Sequence, residues 1–418
     1  MIIGILYSIS ILGACVDRDR INPIDPQNPD THGKLPGVKI FSVKDTVFLS
    51  WDLINLKDIN GYRIYRKSNL ETNFMPIALV PSTVNTFKDT NVNFGVEYSY
   101  QVSAVGPTFE SERSDEITIR PGPTFNWVGD NFGRQIIKLT HDAQHEIFRV
   151  SGFITPFDIE SNTITNEVWV INLISSFTGE VIKVSPDGKK KNPIIPFTMP
   201  FDMALDMRSG SIWVADTHDD LVVKLDSTGD ALFSINSFSN PVSVSVDQRT
   251  GDCWVADNQL ELISKIEFDG SQIENSHVNF NAVQSLIVNS SDGSVWVADS
   301  SRAIKLDQKG ELALELAERF KYAFKIAINE NTGEIWVLNL MSQFNKSTVS
   351  KFTPQGQKLF EIDGFTVPED LSINLYDNSC LVADTQNDRI VRVSAEGDIS
   401  SIFALVGNPQ AVSVQNEF

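Results

Sequence analysis

The segment Ile212–Asp220 reads IWVADTHDD, and near-copies of it recur along the chain. CWVADNQLE begins at Cys253, VWVADSSRA at Val295 and CLVADTQND at Cys380. The second residue of this segment, the anchor, recurs every 40–45 residues, as Trp127, Trp169, Trp213, Trp254, Trp296, Trp336 and Leu381. Self-similarity at such a period indicates a repeat architecture, in which each repeat buries its apolar face against its neighbours.

Each repeat contains four short apolar runs in a constant order. In the third repeat the anchor run WVAD is followed by VVKLDSTG, then ALFSI, and then PVSVSVDQRTG, which leads into the next anchor. Four short strands in about 42 residues predict one blade of a β-propeller. The segment 125–418 begins with an anchor run and ends with PQAVSVQ at Pro409–Gln415. We therefore predict seven blades, closed by pairing that last strand with NWVGD at residues 126–130, which removes open sheet edges.

One repeat carries a more specific pattern. The stretch VADTQNDRIVRV at Val382–Val393 is close to the NHL-repeat consensus. The whole segment 125–418 resembles the NHL and YVTN-like propellers. By fold-level analogy, this resemblance implies that the loop-bearing face of the ring is an interaction surface.

Residues 36–121 alternate apolar and polar side chains in short runs, among them TVFLSWDL, GYRIYRKS and EYSYQVSAVG. About seven short strands in roughly 90 residues are typical of a β-sandwich. With Trp51 on the second strand, Gly61–Arg66 on the third and Tyr98–Val105 on the sixth, the segment resembles a fibronectin type III domain. The expected fold class is thus all-β throughout, with this domain as a spacer between the membrane and the propeller.

The chain begins MIIGILYSISILGAC, an apolar run too short to span a bilayer and as long as a signal-peptide core. LGAC at Leu12–Cys15 resembles the lipobox of bacterial lipoproteins, which implies that residues 1–15 are a signal peptide and that Cys15 is lipidated. By the same resemblance, Val16 directly after Cys15, where inner-membrane retention usually has Asp, implies an outer-membrane destination, with the lipid as the membrane attachment. An uncleaved hydrophobic N-terminus is the alternative. Residues 16–35, rich in Asp, Asn and Pro, are predicted to be a disordered tether.

The charge balance restricts the partners. The formal net charge is −20, from 34 Lys and Arg against 54 Asp and Glu. This argues against nucleic acid, whose binding depends on neutralising phosphates, and suits a protein that faces water, divalent cations or basic partners.

Cys253 and Cys380 each precede an anchor run in repeats three blades apart. Since a disulfide needs Cα atoms within about 7 Å, we predict two buried free thiols.

Two positions are uniform in all seven repeats. The third residue after each anchor is Asp130, Asn172, Asp216, Asp257, Asp299, Asn339 or Asp384. Because Asn replaces Asp twice, this side chain suits an acceptor of N–H groups in the following turn better than a shared acid or base.

The second run carries a basic residue: Lys138, Lys183, Lys224, Lys265, Lys305, Lys351 or Arg392. A hairpin that pairs Asp216 with Leu221 places Lys224 opposite Trp213, so we predict that these cations pack on the indole rings.

A third position, eleven residues before each anchor, varies from repeat to repeat. It reads Asp158, Asp202, Ser243, Ser285, Lys325, Asp370 and Ala411, at the start of the predicted innermost strand. Asp370, Asp158 and Asp202 fall in one sector of the ring, with Glu160 and Glu369 nearby. Three carboxylates converging on the channel mouth could bind Ca²⁺, which takes about six to eight oxygen ligands. Lys325 could instead pair with Asp370, or the carboxylates could be solvated rim residues.

The sequence is compatible with two classes of function. The first is a cell-envelope-anchored, non-catalytic binding or scaffold protein whose propeller loop face takes a protein or carbohydrate ligand. The second is a calcium-dependent hydrolase, because the segment is similar to gluconolactonase-like propellers, a resemblance that implies Ca²⁺ held by Asp158, Asp202 and Asp370. Histidine-dependent catalysis is not indicated, because no ring position collects the five histidines His32, His141, His145, His218 and His277.

Overall fold

The computed structural model describes residues 22–56, 58–342, 346–404 and 406–416, with the backbone alone at 190–194. Within these residues the protein is all-β, and the single short helix is a 3₁₀ turn at Thr385–Asn387. No helix among them has the length and apolar character needed to cross a bilayer. The predicted signal peptide of residues 1–15 and the lipidation site Cys15 lie outside the described residues.

The chain divides into two compact units. The first takes in the described residues up to Ile40 together with Phe48–Asp89 and Val96–Thr118. The second comprises Phe41–Val47, Thr90–Gly95 and Ile119–Phe418. Many four-stranded antiparallel sheets make up the fold, an arrangement consistent with a β-propeller or a β-sandwich.

The N-terminal strands form two sheets, with strand orders β1-β2-β5 and β4-β3-β6-β7. Their bounds are β1 (Lys39–Val43), β2 (Thr46–Ser50), β3 (Gly61–Ser68), β4 (Met75–Pro81), β5 (Thr86–Asp89), β6 (Tyr98–Val105) and β7 (Ile117–Ile119). The placement predicted for the third and sixth strands is confirmed. Trp51 directly follows β2 rather than lying on it, and its ring packs against Tyr62 with centroids 5.4 Å apart.

The described part of the predicted tether, residues 22–34, is folded into hydrogen-bonded turns. The side chains of Asn22 and Asp25 each accept the backbone N–H two residues further on. Asn28 Oδ1 accepts the N–H groups of Asp30 and Thr31. Asn and Asp side chains favour such turns. The polar composition that predicted disorder therefore also supplies local hydrogen bonds.

The second unit contains seven four-stranded antiparallel sheets in the residues described. Their strands are β8 (Phe125–Asp130), β9 (Gln135–Leu139), β10 (Glu146–Ser151), β11 (Thr155–Ser161), β12 (Val168–Ser175), β13 (Thr178–Val184), β14 (Lys190–Phe197), β15 (Pro200–Asp206), β16 (Ser211–Asp216), β17 (Leu221–Leu225), β18 (Ala231–Ile235), β19 (Pro241–Val246), β20 (Cys253–Asp257), β21 (Leu262–Ile266), β22 (Ile273–Asn275), β23 (Val283–Asn289), β24 (Ser294–Asp299), β25 (Arg302–Leu306), β26 (Leu312–Glu315), β27 (Ala323–Ile328), β28 (Ile335–Asn339), β29 (Ser347–Phe352), β30 (Lys358–Phe365), β31 (Asp370–Asn374), β32 (Ser379–Asp384), β33 (Arg389–Val393), β34 (Ile399–Phe403) and β35 (Pro409–Gln415). The sheets are β35-β8-β9-β10, β11 to β14, β15 to β18, β19 to β22, β23 to β26, β27 to β30 and β31 to β34. We call the strand that begins each of these orders the first strand of its sheet.

The anchor residues lie in the second strand of each sheet and are buried. As predicted, Trp213 pairs with Lys224, whose Nζ lies 4.8 Å from the indole centroid. Three more lysines lie over their anchors at 5.1–5.3 Å, namely Lys138 on Trp127, Lys183 on Trp169 and Lys351 on Trp336. Cys253 and Cys380 are buried and free, which confirms that prediction.

The two ends of the repeat region pair as the sequence predicts. Val412 of β35 lies opposite Val128 of β8, and the Trp127 indole N–H donates to Gln415 Oε1 at 2.9 Å. The first strands of consecutive sheets contact one another in the order β11, β15, β19, β23, β27, β31 and β35, and β35 returns to β11. The sheets therefore form a closed circuit around a channel that their first strands line.

The Asp or Asn after each anchor run accepts backbone N–H groups at the start of the first strand or in the loop that leads into it. Asp216 accepts the backbone N–H groups of Thr198 and Met199, which precede β15. Asp257 binds the equivalent loop and also accepts two N–H groups of its own following turn. The predicted bonds to the following turn are present at Asp130 and Asp257, but the partner shared by all seven sheets is the entry to the first strand, because the end of the second strand lies beside it.

Candidate ligand-binding site

A cavity of about 370 Å³ opens where the first strands begin, and we call it the mouth cavity. All seven sheets contribute to its lining: Phe157, Asp158, Phe201, Asp202, Val242, Ser243, Asn258, Val283, Gln284, Phe324, Lys325, Glu369, Asp370 and Gln410. The structure thus brings together Asp158, Asp202, Lys325 and Asp370, the four residues that the sequence placed at the mouth. A cavity of this size, lined by both apolar and polar side chains, can take a small molecule or a side chain of a partner.

A β-bulge turns two consecutive side chains of most first strands into this cavity. In β11 the pairing with β12 slips by one residue between Pro156 and Asp158, which leaves Phe157 as the extra residue. The same slip occurs at the corresponding point in six of the seven sheets. Bulges re-aim side chains and are common beside functional sites. Here they bring an additional side chain to the cavity beside the predicted one.

The three aspartates also connect neighbouring sheets. Each accepts, through Oδ2, a backbone N–H of the next first strand: Asp158 from Met203 at 3.0 Å, Asp202 from Val244 at 2.8 Å and Asp370 from Val412 at 2.9 Å. Ser243 at the equivalent position donates to Asp202 at 2.7 Å and accepts the Leu286 N–H at 3.2 Å. The position therefore has a structural role that the sequence did not reveal, because its partner lies a whole repeat away.

Lys325 is the cation of the mouth cavity. Its Nζ lies 3.4 Å from Asp370 Oδ1, so the pairing considered as an alternative is the arrangement in the structure. Burial lowers the pKa of this ammonium, but attraction to the carboxylates of Asp370, Asp202 and Asp158 outweighs burial and leaves the pKa raised. Lys325 is therefore a charged counter-ion built into the site.

Burial perturbs the carboxyl groups around this lysine. It raises the pKa of Asp158 to about 8, and the negative charge of Asp202 adds to the rise. Burial and then the charge of Asp370 raise the pKa of Glu369 to about 7. The cavity lining therefore holds more carboxyl groups than its lysine neutralises, and part of them keep their protons near neutral pH.

The channel continues along the first strands as a second cavity of about 280 Å³, which shares Asp158, Asp202, Lys325 and Asp370 with the first. Glu160 lines it, two residues along β11 from Asp158, so both side chains lie on the same face of the strand. Burial, and then the charge of Asp158, raise the pKa of Glu160 well above its ordinary value. The equivalent positions in the other sheets are uncharged: Ala204, Ser245, Ile287, Ala327, Ser372 and Ser413.

The walls of the mouth cavity are partly aromatic. The rings of Phe157 and Phe201 lie 5.3 Å apart, and Phe324 stacks beside Tyr322 at 6.2 Å. All three phenylalanines stay partly exposed to the cavity. Sequence reasoning did not include them in the site, although the recurring PFD, PFD and AFK stretches carry a phenylalanine directly before the variable position.

Two amide oxygens at the cavity wall have no partner. Asn258 Oδ1 and Gln410 Oε1 are buried and accept no hydrogen bond from any described residue. Leaving a buried acceptor unsatisfied costs about 1–3 kcal/mol. A ligand that brings hydrogen-bond donors to this wall would recover part of that free energy.

The predicted Ca²⁺ site has no dedicated ligand group in the structure. Within the described residues, no cluster of three or more His, Cys, Asp and Glu side chains is placed to hold a metal ion. Asp158, Asp202 and Asp370 instead bind backbone N–H groups, and Lys325 supplies the positive charge. Calcium binding stays a prediction that this arrangement does not favour.

Similarity to known proteins is limited, and no protein-family model matches the chain. An amylopullulanase from Thermoanaerobacterium saccharolyticum is 33% identical over 135 residues, so the match spans 32% of this chain and only 9% of that protein. A functionally unknown protein from Desulfotomaculum acetoxidans superposes with a TM-score of 0.59 at 11% identity, over 70% of this chain and 99% of that one. U3-55K superposes with a TM-score of 0.53 at 10% identity, over 62% and 84%. These structural similarities concern the all-β fold alone.

Proposed function

We propose that the second unit is a seven-bladed β-propeller of the NHL/YVTN-like type and that residues 36–121 form a fibronectin type III domain. Support for the propeller comes from the seven four-stranded sheets whose first strands contact one another in a closed circuit. Support for the fibronectin type III domain comes from its two sheets, of three and four strands. The long-range pairing of β35 with β8 explains how such a ring would be closed without an open edge.

The protein's function, in this proposal, is non-catalytic binding or scaffolding at the bacterial cell envelope, with the mouth cavity as the binding site for a protein or carbohydrate ligand. The observation that carries it is the pairing of partly exposed phenyl rings with carboxyl groups in a cavity of about 370 Å³. Hydrogen bonds from neighbouring sheets hold the three aspartates in place, which favours recognition by a rigid site. The calcium-dependent hydrolase has less support, because Asp158, Asp202 and Asp370 accept backbone N–H groups and Lys325 pairs with Asp370.

A pair of matched variants tests the binding site. Phe201 lies on the cavity wall, and Leu232 is an exposed residue in β18, the outermost strand of the same sheet. We expect that the wild-type protein and Leu232→Glu capture the same ligand from solubilised cell envelope or a glycan array, and that Phe201→Glu loses it. Equal capture by all three proteins would move the binding site away from the mouth.

Calcium provides a second arm of the same experiment. Millimolar Ca²⁺ is expected to leave the melting temperature and tryptophan fluorescence of the protein unchanged, since Lys325 pairs with Asp370. A rise in melting temperature that Asp158→Ala and Asp370→Ala abolish would instead support a metal site and revive the hydrolase.

Anchoring to the outer membrane through Cys15 is the remaining part of the proposal. It rests on the resemblance of Leu12–Cys15 to a lipobox. Full-length protein expressed in a Gram-negative host should incorporate labelled palmitate and sediment with outer membranes. Cys15→Ala should lose both properties, and labelling that survives this substitution would contradict the assignment.

A further inference from the structure

The structure points to the chemical class of ligand that the mouth cavity takes. We propose that the cavity binds an ammonium or guanidinium group, and that the apolar part of the ligand adjoining this group packs on Phe157 and Phe201. This inference rests on the proposed function, because it assumes that the mouth is a binding site. The cation could belong to a free amine or to a lysine or arginine side chain of a protein, and both present the same chemistry to the site.

The balance of charge in the upper channel is the first argument. Five carboxyl groups face the two connected cavities around Lys325, namely those of Asp158, Glu160, Asp202, Glu369 and Asp370. Glu330, at the far end of the channel, is engaged by the backbone N–H of Ser290. One ammonium cannot neutralise five carboxyl groups, so several of them keep protons in the free site, and a cationic ligand would favour their ionised form.

The second argument is that the site contains hydrogen-bond acceptors to which no described residue donates. Glu160 is enclosed by the channel, and in the part of the chain that the structure describes it accepts no hydrogen bond and forms no ion pair. At the cavity wall, Gln410 Oε1 and Asn258 Oδ1 are buried and equally without a donor. Ammonium and guanidinium groups consist of donors only, so they match such a surface in both charge and hydrogen bonding.

The aromatic wall is the third argument. Phe157 and Phe201 pack against each other with centroids 5.3 Å apart, and both line the cavity next to Asp158 and Asp202, so a cation near these carboxylates lies beside phenyl rings. A cation over an aromatic ring gains about 0.5–2 kcal/mol, and methylene groups next to the cation gain from apolar burial. A calcium ion would use neither contribution.

Protonation of the free site gives the proposal a measurable signature. The pKa of Asp158 is raised to about 8 and that of Glu369 to about 7, chiefly by burial, so both groups are partly or fully protonated at pH 7. A bound cation lowers these pKa values towards their ordinary range. Binding at pH 7 is therefore expected to release about one proton for each ligand bound.

Calorimetric titration of the full chain with defined probes tests this. The cationic probes are pentylamine and Nα-acetyl-lysine amide for the free-amine and lysine chemistries, and Nα-acetyl-arginine amide for the guanidinium; 1-pentanol is the neutral match of pentylamine. Titration in two buffers of different ionisation enthalpy yields the number of protons released. We expect saturable binding of at least one cationic probe with proton release, and no binding of pentanol. Equal affinity for pentanol and pentylamine would overturn the proposal.

Two variants should shift the affinity in opposite directions. Glu160→Gln removes a carboxyl without breaking a hydrogen bond of the fold, and it should weaken binding of the cationic probe by at least about tenfold. Lys325→Met removes the competing ammonium and should tighten binding by about tenfold. Leu232→Glu, on the outermost strand of the β15 sheet, should bind as the wild type does. Unchanged affinity in Glu160→Gln, with its melting curve intact, would contradict the cation site even if Lys325→Met does not fold.

The outcomes separate this inference from the proposed function. If Phe201→Glu abolishes capture of an envelope ligand while no cationic probe binds, the mouth is a binding site for another chemistry and the inference is wrong. If peptides with an accessible lysine or arginine bind more tightly than free amines, the cation belongs to a protein partner. If substitutions at the mouth change neither the capture of an envelope ligand nor the affinity for the cationic probes, both proposals fail together.

Discussion

Replacing Asp158 with asparagine should stabilise the protein, although the side chain is buried and hydrogen-bonded. Burial and the nearby Asp202 raise the pKa of Asp158 from 3.8 to about 8. The folded state therefore keeps a proton between pH 4 and pH 8 that the unfolded state releases, and this group costs more stability as the pH rises through that range. Asparagine is neutral in both states, and its side-chain oxygen can still accept the Met203 N–H.

The magnitude follows from the same two pKa values. Each pH unit above 3.8 costs about 1.4 kcal/mol, so the cost reaches about 4 kcal/mol at pH 7 and stops growing near pH 8. Imperfect replacement of the carboxyl group and its coupling to Asp202 reduce the expected gain to about 2–4 kcal/mol at pH 7. For a unit of this size the gain corresponds to a rise of roughly 3–6 °C in melting temperature.

Urea denaturation followed by tryptophan fluorescence, at pH 5, 7 and 8, measures this difference. The stability advantage of Asp158→Asn should grow with pH across the series. Asp363→Asn, at a side chain that is 69% exposed, should show no such trend. Asp158→Ala should gain less than the asparagine variant, because it leaves the Met203 N–H without its acceptor. An asparagine variant no more stable than the wild type at any of the three pH values would refute the reasoning.

Three further predictions concern stability. Deleting residues 409–418 removes β35, the only strand paired with β8 on its inner side, so circular dichroism should show loss of the cooperative thermal transition rather than a small shift. Lys351→Met should lower the free energy of unfolding by about 1–3 kcal/mol in urea, because Lys351 pairs with Glu334 at 2.8 Å and lies over Trp336; an unchanged midpoint would contradict this. Burial lowers the pKa of His141 from 6.5 to about 4, so the unfolded state binds the extra proton in that window, and stability should fall by up to about 3 kcal/mol as the pH drops from 6.5 to 4. A His141→Gln variant, if it folds, should lack that pH dependence.

Strand pairing within each sheet could be predicted because it repeats. The spacing between Trp213 and Lys224 is enough to set them opposite each other once Asp216 pairs with Leu221, and the structure has this register. The pairing of β35 with β8 followed from counting anchors and final strands. Each of these inferences used a short-range or periodic pattern, and such patterns are visible in a single sequence.

The mouth cavity could be predicted only in part. Asp158, Asp202, Lys325 and Asp370 were placed at the mouth because one position varies where its neighbours in the repeat do not. Strand alternation, however, sends consecutive residues to opposite faces, and a bulge is what brings the second side chain Phe157 into the same cavity. The position of a bulge depends on how two strands pair, and the pattern of apolar residues does not record it.

Contacts between sheets give the three aspartates a role other than metal binding. Asp158, Asp202 and Asp370 each accept an N–H from the first strand of the neighbouring sheet. This hydrogen bond alone explains why a carboxylate or a hydroxyl stands at that position. Glu160 makes no such hydrogen bond to another described residue. It lines the channel at a level where the other sheets carry uncharged side chains, and burial makes its ionisation costly. A carboxyl group that costs stability and binds nothing in the fold is better evidence for a ligand than three carboxylates that hold the sheets together. Variants of Glu160 therefore test binding without breaking a hydrogen bond between sheets, whereas an aspartate variant without an acceptor breaks one.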